Sequence, residues 1–148
     1  MKINRYKLYT TDGRAKNIDN ATYSMSDTNN ALYIYDEKRK VSGIFNNDRV
    51  YGIIDAERIF ESYEEAKSFF ENNKLLSMFQ VKFDNGDYIY IYANKYDYNV
   101  YTKILTFFEF MNDPEKGYNM QIGVFNMNNL IGFQKITFEG GEDELRKD

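Results

Sequence analysis

Any catalysis by this chain would have to come from its carboxylates. Its 148 residues include no His and no Cys, which removes imidazole bases, thiolate nucleophiles, disulfides and the usual nitrogen and sulfur zinc sites. Asp12, Asp19, Asp27, Asp36, Asp48, Asp55 and Glu57 could in principle gather around Mg²⁺, a hard cation that takes oxygen ligands. Their spacing argues against it, because no D-x-D, EF-hand or nuclease pattern occurs. In addition, Asn85 and Asn128 stand where an internal repeat would place second copies of Asp12 and Asp48. The expectation is a protein with no metal, no cofactor and no enzymatic activity.

Aromatic contact is the other chemistry on offer. Fourteen Tyr and twelve Phe make 18% of the chain aromatic. Tyr88, Tyr90 and Tyr92 alternate with Ile89 and Ile91, and Tyr96 and Tyr98 follow. Successive side chains of a strand point to opposite faces, so both faces of this one are apolar. One face belongs to a local core; the other must meet a helix, another part of the chain, a second subunit or a ligand. Tyrosine offers a large amphipathic contact area at small entropic cost and is enriched at interfaces. Tyr88, Tyr90, Tyr92, Tyr96 and Tyr98 are therefore either a partner-binding surface or internal packing.

Lys38, Arg39 and Lys40, with Lys2, Arg5 and Lys7, are local basic spots at which nucleic acid could be contacted. A solvated turn is the simpler reading of the Lys38–Lys40 run. The net charge of −4 lacks the basic excess of nonspecific nucleic-acid binders.

The elements that must position these residues occur twice. Residues 43–53 read Gly-Ile-Phe-Asn-Asn-Asp-Arg-Val-Tyr-Gly-Ile, and residues 123–133 read Gly-Val-Phe-Asn-Met-Asn-Asn-Leu-Ile-Gly-Phe. Each is strand, Asn-rich tight turn, strand. Upstream, Tyr6-Lys7-Leu8 runs into Asp12-Gly13, and Phe79-Gln80-Val81 runs into Asn85-Gly86, the strongest short-range hairpin signal. Residues 13 and 86 are 73 apart and residues 45 and 125 are 80 apart, so the second copy carries seven extra residues, expected in a loop, with part of that length at the turn Asp113–Gly117. Between the copies, Ser62 and Glu65 form a capping box, and Tyr63, Ala66, Phe69 and Phe70 recur at helical spacing. That stripe is read as covering strands. Residues 19–30 read as a polar loop, and Tyr96 and Tyr98 as part of another.

In each copy the order is strand, hairpin, strand, variable loop, strand, charged turn, strand, short Asn-containing turn, strand. Over residues 3–54 and 77–138 this resembles the five-stranded small β-barrels of the SH3-like and Sm-like class. The resemblance implies a mainly β, α+β protein: two tandem five-stranded barrel-like repeats packed together and joined by one amphipathic helix. The divisions are 1–55 for the first repeat, 56–76 for the connecting helix, 77–138 for the second repeat and 139–148 for a mobile charged tail. A unit of about 50 residues is marginal alone, so the copies should share an interior.

The functional expectation is a non-enzymatic protein that occupies a protein partner. It would be an inhibitor of a bacterial defence enzyme carried by a phage or mobile element, or an immunity protein against a toxin. The composition, rich in Lys, Asn, Ile, Tyr and Phe, is associated with AT-rich coding sequences such as those of many Gram-positive bacteria and their phages. The alternative is a nucleic-acid or nucleotide binder with tyrosines stacking on bases. A homodimer is compatible with either. Residues 1–8 hold no apolar core of a signal peptide, and no run reaches the roughly 18 apolar residues that span a bilayer, so a cytoplasmic protein with no membrane partner is expected.

Overall fold

Both Asx-Gly pairs turn hairpins, and they do so alike. Gly13 and Gly86 take φ of 85° and 95°, backbone that side-chain-bearing residues rarely adopt. Gly13 N–H donates to Thr10 O at 3.2 Å and Gly86 N–H to Phe83 O at 3.0 Å. In each turn the preceding Asx side chain also accepts a backbone bond two residues on, Asp12 from Arg14 N–H and Asn85 from Asp87 N–H.

The computed structural model describes residues 5–72, 77–110 and 119–137. The first copy comprises β1 (Arg5–Thr10), β2 (Ala15–Asp19), β3 (Thr22–Ser26), β4 (Ala31–Tyr35), β5 (Val41–Asn46), a 3-10 turn at Asn47–Arg49, and β6 (Val50–Asp55). A short strand, β7 (Ile59–Phe60), and the helix α1 (Tyr63–Asn72) follow. The second copy comprises β8 (Ser77–Phe83), β9 (Tyr88–Ala93), β10 (Lys95–Asn99), β11 (Ile104–Phe110), β12 (Asn119–Asn126), a 3-10 turn at Met127–Asn129, and β13 (Leu130–Ile136).

The two copies match strand for strand. β1 pairs with β2 and β6 as β8 pairs with β9 and β13, and β4 pairs with β3 and β5 as β11 pairs with β10 and β12. Even the irregularities recur. A register shift falls between Ile34 and Tyr35 against β5 and between Phe107 and Phe108 against β12; another falls between Val50 and Gly52 and between Leu130 and Gly132. Bulges bend a strand at a fixed place, so their repetition makes the two backbones equivalent around Phe45 and Phe125. Tyr35 and Phe108 are 73 residues apart, whereas their partners Val41 and Gln121 are 80 apart. The seven extra residues therefore lie between Phe108 and Gln121, four of them lengthening β11 and β12 through the pairs Glu109–Met120 and Phe110–Asn119. The expected turn at Asp113–Gly117, like the tail 139–148, lies outside the described residues.

The strands do not form two closed five-stranded barrels. They form open antiparallel sheets: β10-β11-β12-β6-β1-β2, β13-β8-β9-β7 and β3-β4-β5. There are two physical reasons. Each copy's second strand is split, at Asn20 (φ 54°) and at Asn94, so the chain leaves one sheet for another. Moreover, the copies join through a strand pair, with Gly123 opposite Ile54, Val124 opposite Ile53 and Phe125 opposite Gly52.

That junction is tightly fitted. A Cβ on Gly52 would stand 2.1 Å from the Phe125 ring, and one on Gly123 would stand 2.8 Å from Ile54. At both glycines the facing strand of the other copy occupies the place a side chain would take. Beside them, Asn126 Nδ2 donates to Asn47 O at 2.8 Å, and Asn129 Nδ2 lies within 3.2 Å of the carbonyls of Asn47, Asp48 and Val50. The main core accordingly mixes the copies: Tyr9, Tyr51 and Ile54 pack with Phe79, Val81, Ile91, Phe107 and Phe125. Each such buried ring or aliphatic side chain contributes roughly 1.5–3 kcal/mol relative to exposure.

Candidate functional site

A cleft of about 420 Å³ opens where the two hairpins meet, between residues 9–15 and residues 83–89. Behind it lie rings, of which Tyr9, Tyr51 and Phe83 are almost wholly buried and Tyr88 is half-exposed. Tyr51, from β6, stacks on Phe83, from β8, with centroids 4.4 Å apart and planes 1° from parallel. Tyr9 meets the same Phe83 at 5.3 Å, and Tyr88 closes the second hairpin's side. The rim carries both signs of charge: Lys7, paired with Glu61, Arg14, and Asp87.

The polar groups at the cleft are held in place. Tyr51 O–H donates to Asp84 Oδ1 at 2.6 Å, and Lys7 Nζ sits 5.7 Å from the Tyr9 ring centroid, within the range of a cation–π contact. Burial first, and then the Asp84 carboxylate, pushes the Tyr51 phenol up to about 12. Burial, helped by Glu61, drives the Tyr9 phenol well above the ordinary phenol range. The Tyr9 hydroxyl is buried without a hydrogen-bond partner among the described residues, whereas that of Tyr51 is held by Asp84. The cleft can receive a small group flanked by charge, and on its lining the Thr10 hydroxyl donates to Asp12 Oδ1 at 2.5 Å. Among the described residues, no three acidic side chains are grouped so as to hold a metal ion.

No family model, curated protein or solved structure matches the chain.

The tyrosines singled out from the sequence divide between surface and interior. Tyr90 and Tyr92 are buried, and Tyr88 is 44% exposed. Phe69 of α1 meets Tyr92 edge-on at 4.6 Å, and Tyr63 lies 6.2 Å from Tyr90. The helix is therefore what the second apolar face of β9 meets, while Ile89 and Ile91 turn into the main core. Tyr96 is 48% exposed, wedged edge-on against Phe79 and Phe133, and Tyr98 packs partly buried on the main core. Both lie on β10, where a loop was expected. Of the five, Tyr88 alone lines the cleft.

Lys38, Arg39 and Lys40 form an exposed turn between β4 and β5, and none of them lines the cleft. Asp36 Oδ1 accepts from both Lys38 N–H and Lys40 N–H at 2.9 Å, and Arg39 adopts φ 63°. The backbone geometry is that of an Asx-stapled tight turn. Arg5 is turned away into an ion pair with Asp19.

Sequence reasoning missed Tyr9 and Tyr51 as site residues, since neither stands out until the two hairpins are brought side by side. One signal was present in the repeat: position 51 holds Tyr where position 131 holds Ile, an asymmetry between otherwise matched strands.

Proposed function

We propose that this chain is a non-enzymatic binding protein that occupies a protein partner, and that the cleft between its two hairpins receives one of the partner's side chains. The observation that carries this reading is the half-exposed Tyr88 ring, backed by the buried Tyr9, Tyr51 and Phe83, within a rim of Lys7, Glu61, Arg14 and Asp87. A ring on a rigid aromatic backing, with charge around it, resembles the pockets that anchor interface residues. The small size, the acidic balance and the absence of His and Cys fit an inhibitor of a bacterial defence enzyme encoded by a phage or mobile element, or a toxin-immunity protein. As scaffold, we read each copy as an opened relative of a five-stranded small barrel, supported by the shared order of strand pairing and the 3-10 turn before the last strand.

Affinity capture from a Gram-positive host lysate tests the reading, with wild type and Tyr88→Ser as baits. A protein retained by wild type and lost with Tyr88→Ser, while the two melt alike, is the expected result. Equal recovery by both baits, or no retained protein, removes the proposal. Nucleic acid is the competing occupant, and a salt-dependent gel shift with short RNA and DNA would favour it instead.

A further inference from the structure

The contact between the two copies uses only half of the surfaces that make it. Copy one contributes the edge of its last strand, β6, and copy two contributes the edge of its fifth strand, β12. Because the copies are equivalent, the complementary surfaces also exist: the edge of β5, equivalent to β12, and the edge of β13, equivalent to β6. Among the described residues neither of these edges is paired with a strand.

Several residues that are covered at the occupied contact have more exposed counterparts at the vacant one. Val124 is 4% exposed and its counterpart Ile44 is 62% exposed. Tyr51 is 2% exposed and its counterpart Ile131 is 61% exposed. Phe125, fully buried over Gly52, corresponds to the partly exposed Phe45. A Cβ on Gly52 would strike Phe125, whereas one on Gly132 would meet nothing within 4 Å. Above Gly132 lies a hollow of about 270 Å³ bordered by Lys82, Ile131 and Phe133.

We propose that a second copy of this chain fills these vacancies, β13 of one molecule adding to β5 of the next in the register that β12 and β6 already use. Phe45 then lies over Gly132, Ile44 stands opposite Phe133, and Gly43 stands opposite Gln134. Such a contact joins unlike surfaces, so it propagates head to tail and yields a ring or an open filament. It also covers two strand edges whose exposed apolar residues would otherwise template unspecific pairing.

Sedimentation of the full chain at rising concentration tests this. The expected result is association in whole-chain steps, lost to the monomer mass in Gly132→Leu and, separately, in Ile44→Glu. Both substitutions enter open space or an exposed position, and unchanged circular dichroism melts confirm that the fold is kept. The discriminating arm mixes the two variants, each of which retains the edge that the other lacks. The mixture should form a heterodimer and nothing larger. A wild-type chain that stays monomeric throughout, association that survives both substitutions, or a mixture that stays monomeric while wild type associates would each overturn the proposal. None of the substituted residues lines the hairpin cleft, so partner capture through Tyr88 is read independently.

Discussion

Gly52 and Gly132 occupy the same place in two copies of one backbone, yet substitution should treat them oppositely. Overpacking a closed contact typically costs about 1–3 kcal/mol, and Gly52→Ala, directed into the Phe125 ring, should lower the urea midpoint by at least that equivalent. Gly132→Ala enters open space and should leave the midpoint unchanged or raise it by up to about 1 kcal/mol, the strand penalty of glycine relative to alanine. Tyr51 gives a second test at this scale. Tyr51→Phe removes the hydrogen bond to the Asp84 carboxylate and should cost about 1.5–3 kcal/mol at neutral pH. Its pH dependence has a defined sign. The unfolded phenol titrates near 10 and the folded one near 12, so the folded state favours the protonated form. The stability linked to this group is complete below pH 10 and is lost as pH rises from 10 towards 12. Tyr9 and Tyr23, also raised by burial, act in the same direction. Equilibrium unfolding of wild type followed across that window should show falling stability, with a shallower fall in Tyr51→Phe.

The strand β9 and the helix α1 explain each other. Glu65 N–H donates to Ser62 Oγ at 3.2 Å, a cap whose loss in Ser62→Ala should cost about 1 kcal/mol. The stripe of Tyr63, Ala66, Phe69 and Phe70 lies on Met78, Tyr90, Tyr92 and Ile136, as the helical spacing led one to expect of a covering face. Tyr92→Ser should therefore cost about 3–5 kcal/mol, as for other large-to-small changes in a core. Tyr88→Ser, at the cleft, should stay within about 0.5 kcal/mol. A denaturant series on the two variants separates them. At this scale the sequence was legible wherever an element was apolar enough to declare its period. It misled where one face was polar. β3 alternates Tyr23 and Met25 with Thr22, Ser24 and Ser26, and β10 alternates Tyr96 and Tyr98 with Lys95, Asp97 and Asn99. Both read as loops because half of each strand is made of turn-forming residues, while their packing partners lie far away in sequence. β7, two residues long, is held by its pairing with β9 and has no sequence signal of its own.

For the whole molecule, the internal repeat was the legible part, down to the turns at Gly13 and Gly86. The way the copies join was not, because strand pairing between copies depends on which edges are smooth enough to meet. Gly52 and Gly123 create that smoothness, yet in the sequence they look the same as Gly132 and Gly43. With Tyr9, Tyr51 and Ile54 in one core with residues of the second copy, calorimetry should give a single transition. A fragment of residues 1–55, deprived of Phe125 and of β12, should not show a cooperative melt. No helix among the described residues is long and apolar enough to cross a membrane. The β6–β12 pairing also bears on synthesis. Gly52 and its partner Phe125 are 73 residues apart, and at about 5–20 residues per second a ribosome takes on the order of 4–15 s to make that interval. For those seconds the apolar residues of the nascent first copy, Tyr51, Ile53 and Ile54 among them, have nothing yet made to cover them. The first copy should therefore reach its native packing only after β12 has been made.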